Sequence, residues 1–277
     1  MASVTLSTLY SDALRSITGF LCLSEIAAMY RCCWSLRDQL ESIQPATSMQ
    51  LRTTADLPKS IHRLRTWITH LSLSVDSLLR DFGERRLAAA VPNLTSLRLS
   101  FSDDAYDTEG DLDQLYRRRP FNLPASLHAL HLQWWAWPMP SQVLILMLAA
   151  AQQFGAITSL TLEGRDQPFP SESFLEGLHA LGSLTRFKLV FLDRGVVRSL
   201  IKLSRVDIRE IVTHPTLTSI DLQEGHLSEA FMQSLLTDAA SDLRSRLQFL
   251  RIDPRWINTN VKSLRTTLDG ICPQLRH

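Results

Sequence analysis

The sequence predicts an α/β fold in which short parallel strands alternate with helices along most of the chain. Leucine accounts for 48 of the 277 residues, well above the usual share of the commonest residue in a globular domain. A six-residue apolar pattern recurs seven times, and a helical pattern follows six of the seven copies. These observations together indicate a chain built from repeated strand-helix units.

The repeated pattern is an aliphatic residue, two variable residues, an aliphatic or aromatic residue, one variable residue and a final aliphatic residue. The copies are Ile68–Leu73, Leu94–Leu99, Leu127–Leu132, Ile157–Leu162, Leu184–Leu189, Leu217–Leu222 and Leu247–Ile252. Their middle positions are separated by 26, 33, 30, 27, 33 and 30 residues. A chance excess of leucine would not keep so regular a spacing.

Each copy ends in alternating apolar and polar residues, which predicts a short strand with one buried face. Stretches with apolar residues at helical spacing follow, several of them behind a serine or asparagine suited to an N-cap. They are Ser77–Ala90, Ser141–Phe154, Ser171–Leu181, Val196–Val212, Ser228–Leu243 and Asn258–Leu268. Because a helix between two strands forms a right-handed crossover, we expect parallel strands that share one core.

These units resemble the leucine-rich-repeat family in its longer, ribonuclease-inhibitor-like form. The resemblance covers residues 46–277 and implies a solenoid of about seven repeats, with parallel strands on the concave face and helices on the convex face. The copies lack the Asn or Cys that the family places after the last aliphatic residue. At the C-terminus, Cys272–Leu275 repeats the strand lead-in Val91–Leu94 with no strand after it, which predicts an uncapped array or a truncated chain.

Residues 1–45 do not carry the repeat and predict two short helices instead. A cap at Ser11 or Asp12 precedes one amphipathic stretch, and Ser24-Glu25 opens a second. Helices this short need an apolar surface that covers them.

The N-terminal segment resembles an F-box, the helical motif that binds the Skp-type adaptor of cullin-RING ubiquitin ligases. The matching residues are Leu9, Asp12, Leu14, Ile17, Leu21, the pair Glu25-Ile26, the pair Cys32-Cys33 and Leu36. Tyr10 and Leu36 stand where the motif has a proline and an aromatic residue. The resemblance implies that the adaptor is contacted by Leu9, Leu14, Ile17, Leu21, Ile26 and Met29. The same apolar pattern also fits a plain helical cap that shields the first repeat.

No catalytic, cofactor or metal signature stands out in the chain. It has neither a glycine-rich phosphate loop nor the H-E-x-x-H and G-x-S-x-G motifs, and only 10 residues are glycine. His128 and His131 are three apart, so a strand points them to opposite faces, and the expected neighbours Arg98 and Thr161 are poor metal ligands. We therefore expect a protein that is not an enzyme and holds no cofactor or metal.

Charge and hydropathy indicate which classes of partner and which cellular compartment to expect. The 29 Lys and Arg against 28 Asp and Glu leave a net charge of +1, which provides no general field for nucleic acid or an acidic membrane. The N-terminus lacks the features of a signal peptide, and the longest apolar run, Val143–Ala151, is too short to cross a bilayer. A cytoplasmic or nuclear protein with neither nucleic-acid nor membrane partners is expected.

Strands stacked about 4.8 Å apart place equivalent residues in rows across the concave face. The row between the last two aliphatic positions contains Ser72, Arg98, His131, Thr161, Lys188, Asp221 and Arg251, and the row two residues earlier contains His70, Ser96, Ala129, Ser159, Arg186, Ser219 and Phe249. Arginines and aromatic residues dominate the centres of protein interfaces. We therefore predict a target-protein site at Arg98, His131, Arg186, Lys188, Asp221, Phe249 and Arg251. The alternative is a sheet face that is merely solvated.

The two resemblances together predict a substrate receptor of a Skp-cullin-F-box ubiquitin ligase. The N-terminal helices would bind the adaptor, and through it a cullin, while the repeats would hold a target protein that the sequence does not identify. The alternative is a leucine-rich-repeat scaffold whose N-terminal helices are only a structural cap.

Overall fold

A computed structural model describes nine stretches of the chain and a few isolated positions. The stretches are residues 47–51, 65–74, 91–101, 123–134, 156–165, 177–192, 205–223, 231–252 and 268–275, and the isolated positions are 13, 14, 25, 28, 38, 40, 87, 175 and 266.

One eight-stranded sheet dominates the described residues. Its strands are β1 (Thr47–Leu51), β2 (Ile68–Ser74), β3 (Ser96–Phe101), β4 (Ala129–Trp134), β5 (Ser159–Arg165), β6 (Arg186–Leu192), β7 (Ser219–Gln223) and β8 (Phe249–Ile252). The strands lie in the order of the sequence, and every neighbouring pair is parallel. The predicted α/β class with a parallel sheet is therefore confirmed, and each of the seven predicted strands is present in β2 to β8.

The first strand was missing from the sequence prediction. β1 pairs with β2 so that Met49 lies beside Leu71 and Leu51 beside Leu73. The segment Ala46-Thr-Ser-Met49-Gln-Leu51 follows the repeated pattern, with alanine in the first aliphatic position. The seven predicted copies all have leucine or isoleucine in this position, so the pattern did not include the copy with alanine.

The described helical residues differ in several places from the helices that the sequence predicts. Helix α1 (Arg205–Val212) lies inside the predicted stretch between β6 and β7. The single helix predicted over 228–243 is wrong, because helical residues 231–235 are followed by a 3-10 turn at Asp238–Ala240 and then by helix α2 (Ser241–Arg246). The Arg244 guanidinium donates to the carbonyls of Leu235, at 2.9 Å, and Thr237, at 3.0 Å. These bonds satisfy carbonyls that a broken helix leaves exposed.

Two other helix predictions need correction at their C-terminal ends. The stretch predicted over 171–181 ends in a 3-10 turn at Leu178–Ala180, preceded by Gly177 with φ of 89°. That left-handed backbone conformation favours glycine and interrupts an α-helix. The stretch predicted over 258–268 has helical residues at 266 and at 268–271, so its helix extends beyond the expected end. A further 3-10 turn, Arg65–Trp67, leads into β2.

The core is a continuous apolar layer on one side of the sheet. From β2 to β7, the two aliphatic or aromatic positions of each strand are all buried, as the alternation predicts. Leu250 and Ile252 of β8 are half-buried and pack against the same layer. From the N-terminal segment, Leu14 and Leu40 belong to this apolar cluster and are also buried. The boundary between a helical segment and a repeat domain near residue 45 stays a prediction.

Polar side chains join successive repeats where the chain enters each strand. The hydroxyls of Thr95, Thr158, Thr185 and Thr218 each approach the carbonyl of the equivalent residue in the preceding repeat, at 3.0–3.3 Å. Three residues that directly precede the first aliphatic position also bond to the preceding repeat. Each donates to the carbonyl of that repeat's first aliphatic residue. Ser126 donates to the Leu94 carbonyl at 2.8 Å, Thr216 to that of Leu184 at 2.7 Å, and Arg246 to that of Leu217 at 3.0 Å. The threonine in the repeated pattern thus has a structural role that the sequence prediction did not assign.

Candidate functional site

The polar face of the sheet is the side opposite the apolar layer, and it holds the residues between and beyond the buried positions. Arg98, His131 and Thr161 are neighbours on β3, β4 and β5, as the sequence predicts. Lys188, Asp221 and Arg251 continue this row on β6, β7 and β8. Arg186 and Phe249 lie in the row two residues earlier, on either side of Ser219. All seven predicted target-binding residues therefore share one face.

Glu163 on β5 is the centre of a polar cluster on this face. Its Oε2 lies 3.2 Å from Arg98 Nη2 and 3.0 Å from His131 Nε2. Its Oε1 accepts a hydrogen bond of 2.9 Å from Gln133 Nε2, and the Gln133 Oε1 accepts two more from Arg98, at 2.9 and 3.2 Å. The cluster crosses three strands and places an acidic charge between a guanidinium and an imidazole. Such charge-assisted hydrogen bonds are stronger than neutral ones.

The cluster affects the protonation of His131, whose side chain is 25% exposed. Burial of the ring lowers the pKa of His131 below its usual value, and Arg98 lowers it further. Glu163 acts in the opposite direction through its charge and its hydrogen bond. The net effect is a lowered pKa, so the His131 ring is neutral near pH 7. The acidic charge of Glu163 is therefore balanced mainly by Arg98.

Glu163 and Gln133 were not among the predicted site residues. They belong to a third row, two residues beyond the one that includes His131, which also contains Ser100, Val190 and Gln223. The period-2 rule that gave the first two rows gives this one as well. This row lies just beyond the last aliphatic position of the repeated pattern, so the pattern did not include it.

The C-terminal half of the polar face carries a second, looser charged group. Lys188 Nζ lies 3.6 Å from Asp221 Oδ2, and Gln223 Nε2 donates to both carboxylate oxygens of Asp221, at 3.1 and 3.2 Å. Arg186 and Arg251 are exposed beside this group. Phe249, which is 44% exposed, lies next to them on β8. This half combines exposed basic groups with an exposed apolar side chain.

The predicted adaptor-binding residues are described at one position. Leu14 is helical, 5% exposed and part of the main apolar cluster. Leu9, Ile17, Leu21, Ile26 and Met29 lie outside the described residues. The burial of Leu14 shows that at least this side chain is covered by the chain itself.

Three further features of the described residues concern metal ligands, thiols and membrane spans. Within the described ranges, no three His, Cys, Asp or Glu side chains come together as a group that could hold a metal ion. Cys272 is a free, buried thiol whose pKa is raised by burial; the other cysteines lie outside the described residues. None of the helices described has the length and apolar character that crossing a membrane requires.

Comparisons with known proteins leave the family open. The sequence matches no protein-family model, and a search of the curated proteins finds no match either.

Proposed function

We propose that the chain is a leucine-rich-repeat solenoid that binds a partner protein on the polar face of its sheet. In its more specific form, the proposal is a substrate receptor of a Skp-cullin-F-box ubiquitin ligase. The target would lie on the repeats while the N-terminal helices contact the Skp-type adaptor, which is itself bound to a cullin. Such a receptor acts by bringing the target close to the ligase, without chemistry of its own.

The observation that carries the binding proposal is the sequential parallel order of the eight strands. Each repeat adds one strand, so equivalent polar residues align into rows across a single continuous face. The arginines and the exposed Phe249 on that face are of the types enriched at protein interfaces. The even spacing of the rows suits a partner that lies across several repeats.

The adaptor-binding part of the proposal rests on the F-box resemblance of residues 9–36. A helical segment directly before leucine-rich repeats is the arrangement expected of such receptors. Ile17 and Ile26 are the most informative positions, because one belongs to each predicted helix and both are apolar residues of the motif.

A second candidate function has an observation of its own. Leu14 and Leu40 are buried in the apolar cluster that the strands form. An N-terminal segment that contributes to this core fits a cap that shields the first strands. In that case, the chain is a repeat scaffold that binds its partner without recruiting a ligase.

Co-purification with a Skp-type adaptor separates the two candidates. The full chain is compared with a variant that carries Ile17→Asp and Ile26→Asp. We expect the intact chain to retain the adaptor and the variant to lose it. A matched variant with Ser72→Asp and Ser96→Asp, on the polar face, carries the same added charge away from the helices and should retain the adaptor.

Circular dichroism and thermal unfolding complete this experiment. An adaptor receptor keeps its strand signal and most of its thermal stability when the two isoleucines are replaced. If the intact chain fails to bind the adaptor and the substitutions instead lower the melting temperature, the ligase proposal is wrong and the helices are a cap.

A further inference from the structure

We infer that the C-terminal half of the polar face binds a segment of a partner protein, and that this segment contains acidic residues and an apolar side chain. This half is the basic-aromatic patch, defined by Arg186, Lys188, Asp221, Phe249 and Arg251. The inference rests on the proposed binding function and names the chemical class of the partner.

The first step is the difference between acidic and basic side chains on the polar face. Glu163 and Asp221 each have a side chain that is 13% exposed, and each is held by neighbouring donors. Arg98 and Lys188, which pair with them, are each 42% exposed. The carboxylates are therefore turned into the face while the basic groups reach the solvent. A partner meets mainly positive charge.

The second step is that two guanidinium groups in the patch have no partner among the described residues. Among the residues that the structure describes, neither Arg186 nor Arg251 forms an ion pair or a side-chain hydrogen bond, and both are exposed. A guanidinium has five N–H donors in a fixed planar fork that matches a carboxylate. Free groups of this kind on a sheet face can bind the carboxylates of a partner.

The third step is the position of Phe249 on the same strand as Arg251, two residues before it. Phe249 and Arg251 lie on β8, and Arg186 and Lys188 lie on β6, two strands away. Strand spacing places these pairs about 10 Å apart. Phe249 is one of two large apolar side chains exposed on the described surface. An extended acidic segment across β6 to β8 would meet basic groups with an apolar contact beside them.

Nucleic acid is a poorer fit to the same patch. The net charge of +1 provides little long-range attraction for a phosphate backbone. Asp221 also lies in the middle of the patch, between Lys188 and Arg251 in the row of neighbouring strands. A peptide can place a donor or an apolar group opposite Asp221, whereas the uniformly charged nucleic-acid backbone would be repelled there.

The test is selection of a random twelve-residue peptide library on the immobilised full chain. We expect the selected peptides to be enriched in Asp and Glu together with at least one aromatic or large aliphatic residue. The selection is repeated on a variant with Arg186→Gln and Arg251→Gln, where the acidic enrichment should disappear. A control variant with Arg65→Gln and Arg209→Gln removes two exposed arginines outside the polar face and should select the same peptides as the intact chain.

Fluorescence anisotropy then measures the best acidic peptide against its Gln and Asn counterpart and against a single-stranded oligonucleotide. Loss of one exposed ion pair weakens binding about twofold to fivefold, so the double variant should bind the acidic peptide about tenfold more weakly. The affinity should also fall as salt is raised.

Three outcomes would overturn the inference. Selected peptides that are no more acidic than the starting library exclude this partner class, although their binding to the polar face would leave the proposed function standing. Preferential binding of the oligonucleotide through Arg186 and Arg251 would show that the partner of the patch is nucleic acid and not an acidic protein segment. If no selected peptide depends on residues of the polar face for binding, both the inference and the proposed binding function are wrong. The ligase role is tested separately by co-purification with the adaptor.

Discussion

His214 illustrates how a single polar residue is accommodated in a repeat core. It precedes Pro215 in the lead-in to β7 and is completely buried. Its Nε2 donates to the Leu178 carbonyl at 3.1 Å, and its Nδ1 accepts from the Thr216 amide at 3.4 Å. One donor and one acceptor match the neutral ring. Burial lowers the pKa of His214 from 6.5 to about 4, although the bond to Leu178 opposes this change.

Because His214 is buried in its neutral form, the free energy of unfolding should fall in mild acid. The folded chain holds His214 neutral down to about pH 4, whereas the unfolded chain protonates it below about pH 6.5. Stability from this residue is therefore complete above pH 6.5 and is lost as the pH falls toward 4. The loss between about pH 7.5 and pH 4.5 is about 2–3 kcal/mol.

Urea unfolding across this pH range measures the effect. His214→Gln keeps a donor for the Leu178 carbonyl but cannot be protonated, so its unfolding free energy should depend less on pH by about the amount above. His128→Gln, at an exposed histidine, is the control and should keep the pH dependence of the intact chain. Equal pH dependence in the His214 variant and the intact chain would show that the buried ring is not responsible.

At the scale of one strand and its lead-in, the repeats are joined by side chains as well as by the sheet. The tight turns before β3, β4, β6 and the C-terminal lead-in each have a backbone bond from the aliphatic residue to the carbonyl three positions earlier. These bonds join Leu94 to Val91, Leu127 to Pro124, Leu184 to Leu181 and Leu275 to Cys272. Before β4, β7 and β8, the polar residue just before the aliphatic position also bonds to a carbonyl of the preceding repeat, and these residues are Ser126, Thr216 and Arg246. Where this bond forms, it joins one turn to the turn before it.

Two serines at this position provide a matched comparison. Ser126 donates its hydroxyl to the Leu94 carbonyl at 2.8 Å and approaches the Pro92 carbonyl at 3.0 Å. Ser183 occupies the equivalent position before β6 and is exposed, with no side-chain hydrogen bond to a described residue. Ser126→Ala should lower the unfolding free energy by about 1 kcal/mol, and Ser183→Ala should change it by less than about 0.5 kcal/mol. Chemical denaturation of both variants measures the difference, and equal effects would contradict a stacking role for this hydroxyl.

The features that could be predicted from the sequence are the ones that repeat along it. Strands depend on an alternation that repeats, so the neighbours Arg98, His131 and Thr161 followed from spacing alone. The break after residue 235 depends on the Arg244 guanidinium, which bonds carbonyls seven and nine positions earlier in the chain. The Glu163 cluster depends on side-chain rotamers across three strands. Periodicity carries no information on such contacts.

At the scale of the whole molecule, the sequential strand order gives the described strands one continuous core. Each strand from β2 to β7 has two buried apolar residues, and these lie beside the equivalent residues of the neighbouring strands. The apolar layer is therefore continuous from β2 to β7. In such an array, stability is the sum of each unit and its interfaces with neighbours. A central unit has two interfaces, whereas β8 has one neighbouring strand among the described residues.

Truncation of a core leucine should therefore cost more at the centre than at β8. Leu160 is fully buried between Leu130 and Phe187, while Leu250 is half-buried and has Ile220 as its neighbour. Leu160→Ala should lower the unfolding free energy by about 3–4 kcal/mol, within the range for a buried leucine, and Leu250→Ala by about 1 kcal/mol. Urea unfolding gives the energies, and hydrogen exchange shows where protection is lost. The central variant should lose protection in strands on both sides of β5, because both interfaces weaken, and the β8 variant should lose it mainly in β8. Equal energies, or loss confined to β5 in the central variant, would mean that the units are stabilised independently and that the apolar layer does not act as one core.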